Sequence, residues 1–407
     1  MVAKNRALFL LLAVALLLRL AWSFTQPPEP DPRLADQFEY LQLGRNLLHA
    51  HELKFHDPRY DQDVYAYRTP GYPILIAACG GNVRALRIVQ ALLDTSTVLA
   101  VYLLARRFLD PRPSLAAAAF IAFNPFLIYF SGLVLSETLF TAMLAWGMYL
   151  LAVRRRNQTL AGIALLALAV HVRPSALGLV VLLAFFAGCQ CHRRTGIRNG
   201  LLAILTVCLV LLPWGYRNAH HPKVKAWILT TTNSGITTYD GFHDGATGAS
   251  DQRSFVNEML TLLAHMDEVE RDDYLSQRAH EWIRAHPGRA AALMVNKIAR
   301  TWSPVPLSND YGGRALYVVA GLLYSVPFYL LVLFGLWKTA LPRSAKVFLL
   351  LPAIYFTGIH ALSVGSLRYR IPVEPPIAVI AGSALAASAF LTTRHGLTNG
   401  PSRRKSG

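Results

Sequence analysis

The residues of this chain that could carry out chemistry lie at the edges of very apolar stretches. Residues 34–73 contain Asp36, Tyr40 and Arg68 and end in the turn Pro70-Gly71-Tyr72-Pro73. An acid, an arginine and aromatic rings beside apolar sequence suggest a site where a charged, lipid-linked substrate is met from the water side. Further ionisable residues with a similar placement follow along the chain: Glu137, Arg173, Arg217, Arg368 and Arg370.

Carboxylates and guanidiniums in this combination suit the transfer of a sugar from a lipid phosphate. Such a reaction needs a base for the acceptor's proton and cations for the phosphate that leaves. Asp36 is the predicted base, because apolar surroundings would raise its affinity for a proton. Glu137 is the second catalytic candidate. The predicted substrate-binding residues are Tyr40, Arg68, Tyr72, Arg173, Arg217, Arg368 and Arg370.

Each of these residues also has a plainer interpretation. Asp36 could simply cap a helix predicted over residues 35–50, on which it shares one face with Tyr40. Glu137 would be costly in an apolar stretch without a partner, so a structural role is as well supported as a catalytic one. Single arginines at the ends of apolar spans often reach only towards lipid headgroups. The prediction of a site therefore depends on the whole set, which would face one side of a membrane.

The composition indicates a polytopic, all-α membrane protein. Of the 407 residues, 54% are hydrophobic and 15% are charged, which is too apolar for an ordinary soluble domain of this length. The formal net charge of +17 does not indicate nucleic-acid binding, because the arginines form short runs between apolar spans. The four cysteines show no disulfide spacing. The sequence assigns no cofactor and shows no recognisable set of metal ligands. It does not decide whether the protein binds a divalent cation.

About ten apolar runs approach the length that crosses a bilayer. They lie near residues 6–24, 84–105, 113–130, 134–153, 159–171, 174–190, 200–216, 315–337, 346–362 and 371–391. The fifth and sixth could instead form one broken hairpin.

Alternate loops between these runs are rich in arginine and lysine, which predicts that both termini are cytoplasmic. Most of the 23 acidic residues fall in segments 25–72 and 219–314, which then lie outside. The predicted organisation has four parts: a catalytic transmembrane module (1–218) with an outer loop at 25–72, an outer region (219–314), C-terminal transmembrane helices (315–393) and a basic cytoplasmic tail (394–407). Amphipathic helices are predicted within 251–302, following a Gly/Ser/Thr-rich loop.

Six short motifs, in their order along the chain, resemble the bacterial dolichyl-phosphate-mannose-protein-mannosyltransferase-like family, which includes aminoarabinose transferases. They are Asp36-x-x-x-Tyr40 followed by Gly44-Arg45-Asn46-Leu47, then Arg68-Thr69-Pro70-Gly71-Tyr72-Pro73, Ser136-Glu137, Val172-Arg173-Pro174, Leu212-Pro213-Trp214-Gly215-Tyr216-Arg217-Asn218 and Arg368-Tyr369-Arg370-Ile371-Pro372. The resemblance implies the GT-C membrane fold, a polyprenyl-phosphate sugar donor, and an active-site Asp in the first outer loop, which is Asp36 here. Protein mannosyltransferases carry an acidic pair at this point, whereas the neighbour here is Gln37.

These observations predict a glycosyltransferase (hexosyl or pentosyl) of the inner membrane. It would move a sugar from a polyprenyl phosphate to a lipid, glycan or protein acceptor on the outer side, with inversion at the anomeric carbon. The main alternative is a flippase or transporter for a lipid-linked sugar, which would want ionisable groups near the middle of spans. Asp94, beside Arg87 and Gln90, is the acid that could serve it. A scaffold of the same fold without donor chemistry is the third hypothesis.

Overall fold

The predicted apolar runs coincide with α-helices in the computed structural model. The structure describes residues 2–30, 34–307, 315–339 and 341–397. The first ten α-helices are Val2–Thr25 (α1), Ala35–Ala50 (α2), Gly71–Ala78 (α3), Val83–Ala105 (α4), Pro111–Ala122 (α5), Pro125–Ser131 (α6), Glu137–Val153 (α7), Arg156–Ala169 (α8), Leu177–Cys189 (α9) and Arg193–His220 (α10). The following ones are Ser234–Gly241 (α11), Gln252–Leu263 (α12), Glu268–Ala285 (α13), Pro287–Thr301 (α14), Ala315–Lys338 (α15), Arg343–Ala361 (α16) and Glu374–Leu397 (α17).

Five of the described helices are long and apolar enough to cross a membrane by length and composition: α1 from Arg6, α4, α10, α15 and α16. A sixth span is formed if α5 and α6, which meet at an angle of 51°, count as one broken crossing. Asn124 makes this break, because its side chain accepts the backbone N–H groups of Phe126 and Leu127 and Pro125 follows it. Helices α7, α8 and α9 are shorter, so the predicted count of ten crossings stays a prediction.

The apolar helices enclose one large hydrophobic core. Helix α17 lies within it, because residues 377–384 are buried against α4, α5 and α15. Large apolar side chains of α1, α10 and α15 remain exposed, among them Phe9, Leu201 and Leu323. Such exposure is expected of helices that face lipid rather than water.

Polar segments from two distant parts of the chain pack together at one end of the apolar helices. They are α2, a two-stranded antiparallel hairpin (β1, Phe55–Asp57; β2, Gln62–Val64) and α11–α14, which we call the cap. Their shared core joins Leu43, Phe55 and Tyr67 to Ile236 and Leu275. The two predicted outer segments therefore form one layer.

The cap confirms the prediction of helices within 251–302 and corrects the interpretation of the residues before them. Helix α11 occupies part of the stretch that was predicted as a Gly/Ser/Thr-rich loop. Asp272 of α13 explains the difference, since its carboxylate accepts the N–H of Gly235 and the hydroxyl of Ser234 at the start of α11. Most of the predicted tail, from residue 398, lies outside the described residues.

Candidate active site

Helix α2 places two carboxylates, Asp36 and Glu39, on one face. Gly44 lets this helix approach α3 closely, since a β-carbon there would lie 2.4 Å from Ile76. Gln37 fixes the first turn, because its side-chain carbonyl accepts the N–H of Val134 at 2.8 Å in the turn before α7. This contact brings Asp36 towards Glu137, the first residue of α7.

Two further loops deliver arginines to the same place. Gly71 donates its N–H to the carbonyl of His171 at 2.9 Å, and a side chain at Gly71 would collide with that carbonyl. This contact docks the loop of Arg68 onto the turn that carries Arg173. Arg368 lies on a short 3₁₀ turn, Leu367–Tyr369, which is tied to the cap by a hydrogen bond from Gly365 N–H to the carbonyl of Gly248.

These side chains form a continuous network in which carboxylates and guanidiniums alternate. Arg68 donates to Glu39 at 2.9 Å and to Asp36 at 2.7 Å. Arg368 donates through Nη1 to Asp36 at 2.5 Å and through Nε to Glu137 at 2.6 Å. Arg173 completes the network with a hydrogen bond to Glu137 at 2.9 Å. Three acids and three arginines therefore balance in charge.

The network determines the ionisation of the cap carboxylates. Burial acts to raise the pKa of Asp36, but the Arg68 and Arg368 guanidiniums outweigh it and hold the pKa well below its usual range. The sequence-based expectation of an increased proton affinity is therefore wrong for this state, because it did not include two direct arginine partners. Burial raises the pKa of Glu39, and Arg68 only partly offsets this effect.

An apolar groove ends at Arg368. It has a cavity volume of ≈ 360 Å³ and lies between the end of α1, α6, the start of α15 and the 365–368 segment. Two guanidiniums, those of Arg300 and Arg368, line it together with apolar side chains that include Trp22, Phe126, Tyr129, Phe130, Leu316 and Tyr317. The groove thus combines an apolar wall with cations, as an anionic lipid would require.

A family model described as dolichyl-phosphate-mannose-protein mannosyltransferase matches residues 73–216, which include Glu137 and Arg173. The match covers 144 of the 407 residues and is a similarity over that part of the chain. No curated protein matches the sequence.

Solved structures share the fold of this chain, which is of the GT-C type. The oligosaccharyltransferase AglB from Archaeoglobus fulgidus, in complex with an inhibitory peptide and a dolichol-phosphate, aligns with 99% of this chain and 53% of its own, at 14% identity and a TM-score of 0.57. Its apo form aligns with 98% of this chain and 53% of its own, at 15% identity and a TM-score of 0.56. The chain therefore spans about half the length of these proteins. ArnT from Cupriavidus metallidurans bound to undecaprenyl phosphate aligns at a TM-score of 0.40, over 97% of this chain and 81% of its own, with 13% identity.

Tyr40 and Tyr72 form an aromatic pair that packs against Arg68 of the charge network. The Arg68 guanidinium lies 5.2 Å from the Tyr40 ring, which packs edge-on against Tyr72 at 5.0 Å. Tyr72 is fully buried and donates its hydroxyl to Gln90 at 2.6 Å. Gln90 in turn donates to the carbonyls of Ser131 and Leu133, so Tyr72 fixes the turn before Glu137 and lies outside the charge network.

Two of the predicted phosphate-binding arginines, Arg217 and Arg370, lie outside the charge network. Arg217 donates to the carbonyls of Tyr65 and Leu53 at 2.9 and 3.2 Å and joins α10 to the cap. Arg370 is fully buried and pairs with Glu374 at 2.6 Å. Both guanidiniums hold the fold together in this way.

Two residues that the sequence analysis did not select belong to the site. Glu39 was readable, because it follows Asp36 by three residues on a predicted helix and so shares its face. Arg300 was not readable, since it lies among the many charged residues of an amphipathic segment. In the described part of the chain no carboxylate pairs with Arg300, whose Nε donates to the carbonyl of Gly365 at 3.4 Å.

Asp94, the acid that a transporter could use, pairs with Arg19 at 2.5 Å in the middle of the apolar core. Both side chains are fully buried, and Arg19 also donates to the carbonyls of Ala15, Ile121 and Ala122. This ion pair joins α1, α4 and α5. Among the described residues, no group of three or more His, Cys, Asp or Glu side chains lies close enough together to hold a metal ion.

Proposed function

We propose that this protein is a glycosyltransferase that moves a sugar from a polyprenyl-phosphate donor to an acceptor on the extracytoplasmic side of the inner membrane. The observation that carries the proposal is the position of Arg368. One guanidinium lines the apolar groove and also binds Asp36 and Glu137. A lipid phosphate and a carboxylate base would thus meet at one residue.

The groove is the proposed site of the donor's lipid chain. Its aromatic and aliphatic walls suit a polyprenyl chain, and Arg300 and Arg368 suit the phosphate, which guanidiniums bind through paired donors. The fold neighbour AglB was solved with a dolichol-phosphate, which supports a carrier of this class. Arg68 and Arg173 lie further along the network. There they hold the carboxylates of Asp36 and Glu137 in place.

Asp36 is the proposed base, and the donor controls its strength. In the structure Asp36 shares two guanidiniums, which keeps it ionised and weakly basic. A phosphate bound at Arg368 competes with Asp36 for that guanidinium and raises the proton affinity of the carboxylate. Asp36 then takes the acceptor's proton while the acceptor oxygen attacks the anomeric carbon.

Direct attack of this kind inverts the anomeric carbon and breaks its bond to the phosphate. Arg300 and Arg368 stabilise the negative charge that develops on the leaving phosphate. The cap covers this side of the site and limits the access of water, which reduces hydrolysis of the donor. The acceptor is a hydroxyl or similar nucleophile of a lipid, glycan or protein.

The test uses the full chain in liposomes with radiolabelled polyprenyl-phosphate sugars and an extract of membrane acceptors. Wild type should release polyprenyl phosphate from at least one donor, and Asp36→Asn should reduce this turnover by about 10²-fold or more. Glu29→Gln is the matched control, because Glu29 is an exposed acid of the same outer segment that pairs with Arg45. Its turnover should equal that of wild type.

The same liposomes test the transporter hypothesis. Label that crosses the bilayer with its sugar–phosphate bond intact, at equal rates in wild type and Asp36→Asn, would contradict the proposed transfer. Turnover that persists in Asp36→Asn would retain the transferase and remove Asp36 as its base.

A further inference from the structure

Three buried polar atoms beside the charge network have no hydrogen-bond partner among the described residues. They are Oε2 of Glu137, Nη1 of Arg173 and Nε2 of His360. The exposed fractions of these residues are 0%, 9% and 5%. Buried polar atoms are nearly always paired in folded proteins, so three in one place need an explanation.

The three residues are connected through one aromatic ring and one ion pair. The His360 ring stacks on Tyr369 with 3.6 Å between ring centroids and an interplanar angle of 5°. The Arg173 guanidinium lies 5.7 Å from the same Tyr369 ring and donates through Nη2 to Glu137. Tyr369 follows Arg368 directly, so this cluster adjoins the point where the proposed donor phosphate is held.

The ion pair accounts for one side of each charged group, and the buried atom on the other side has no hydrogen-bond partner among the described residues. Oε1 of Glu137 accepts from both Arg173 and Arg368, whereas Oε2 accepts from no described residue. Oε2 can only accept and Nη1 can only donate. A hydroxyl group does both and therefore satisfies either atom. An ammonium group could satisfy Oε2 but would oppose Arg173, and a carboxylate could satisfy Nη1 but would oppose Glu137.

Building on the proposed function, we infer that Glu137, Arg173 and His360 form a subsite that recognises hydroxyl groups of the donor's sugar, and that this sugar is neutral. It is a hydroxyl-bearing hexose or pentose without an amino or carboxyl group. Glu137 is then a specificity residue, which explains why a carboxylate is kept at a fully buried position.

Charge balance supports a neutral sugar. The network contains three carboxylates and three guanidiniums, and Arg300 at the groove adds one further cation. A polyprenyl phosphodiester carries one negative charge, so the donor's phosphate and Arg300 neutralise each other. A charged sugar would leave the half-buried site with an unpaired charge, which is costly where water is excluded.

The experiment measures equilibrium binding to the full chain in nanodiscs, so that it needs no acceptor. The ligands are undecaprenyl phosphate without sugar, the same carrier with glucose, galactose, mannose or xylose, and the carrier with glucosamine or glucuronate. At least one neutral sugar should tighten binding about tenfold or more over the bare carrier, as hydrogen bonds to charged groups predict. Glucosamine and glucuronate should give no such gain.

Variants then locate the gain. Glu137→Gln should abolish the gain from the neutral sugar. His360→Phe keeps the stack on Tyr369 and should reduce the gain about threefold, the loss of one hydrogen bond. Tyr60→Phe is the control. It removes a buried hydroxyl in the cap that also has no hydrogen-bond partner among the described residues, and the gain from the sugar should stay the same. In each variant the affinity for the bare carrier reports whether the groove remains intact.

The outcomes separate this inference from the proposed function. A wild type that binds the bare carrier through Arg368 but favours a charged sugar, or gains nothing from any neutral one, overturns the inference and keeps the function. A gain that survives in Glu137→Gln also overturns it. If wild type does not bind the bare carrier at all, the proposed function fails and the subsite fails with it.

Discussion

Replacing Asp36 by Asn should tighten donor binding while it stops transfer. Asp36 accepts hydrogen bonds from Arg68 at 2.7 Å and from Arg368 at 2.5 Å. Asn has nearly the same shape but no charge, so it holds the Arg368 guanidinium less strongly. A phosphate that needs this guanidinium then competes with a weaker partner.

The size of the effect follows from the exposure of the pair. The Asp36 side chain is 29% exposed and that of Arg368 is 21% exposed, so their attraction is partly screened by water. We expect a contribution of about 1–2 kcal/mol, between that of an exposed ion pair and that of a buried charged hydrogen bond. Kd for polyprenyl phosphate should therefore fall by roughly 5–30-fold.

The assay is the binding of labelled undecaprenyl phosphate to wild type, Asp36→Asn and Glu39→Gln in nanodiscs. Glu39→Gln is the matched control, because Glu39 pairs with Arg68, whereas the ion pairs of Arg368 join it to Asp36 and Glu137. Its Kd should stay close to that of wild type. Equal or weaker binding by Asp36→Asn would refute the competition between carboxylate and phosphate, whatever happens to transfer.

Three further substitutions test other contacts. Arg300→Ala should raise Kd for undecaprenyl phosphate about tenfold, because a charged donor to the phosphate is lost, with the melting temperature unchanged; unaltered binding would remove Arg300 from the groove's function. Arg370→Met should cost about 3–5 kcal/mol of stability, since it leaves the fully buried Glu374 without its cation, and Glu374→Gln in the same chain should restore part of the melting temperature. Burial lowers the pKa of Lys297 to about 7, although Asp240 acts to raise it. The unfolded chain thus binds a proton that the native chain lacks from about pH 7 up to the ordinary value of 10.5, and stability rises with pH in that window. Lys297→Met should abolish this rise and add about 1–3 kcal/mol at pH 7, because the buried ammonium nitrogen lies over the Phe242 ring without a hydrogen-bond partner among the described residues; a melting temperature that still climbs with pH would assign the rise to another group.

The fold was largely predictable because hydrophobicity is a local property of the chain. Each apolar run became helix, and the break at Asn124 and Pro125 was readable as an N-cap followed by proline, although residues 113–130 were interpreted as one run. Helix α11 was not readable, since the carboxylate that caps it, Asp272, comes from a helix more than thirty residues later. Side-chain contacts of this kind depend on the tertiary fold.

The site was predictable only as a set of residue types. Arg68, Arg173 and Arg368 were selected by the same criterion as Arg217 and Arg370, namely an arginine at the end of an apolar span. What separates them is the partner that the fold supplies, which is a backbone carbonyl for Arg217 and a site carboxylate for the first three. One clue was local, since Glu374 lies only four residues after Arg370, across the 3₁₀ turn Ile371–Val373, and forms a pair that is complete without a ligand.

The placement of Arg368 at the junction of groove and network has a consequence for the proposed reaction. With Asp36 held by Arg68 and Arg368, its basicity is low until a phosphate draws on one of the two guanidiniums. In the proposed reaction the donor therefore strengthens the base that will use it, and an empty site stays inert.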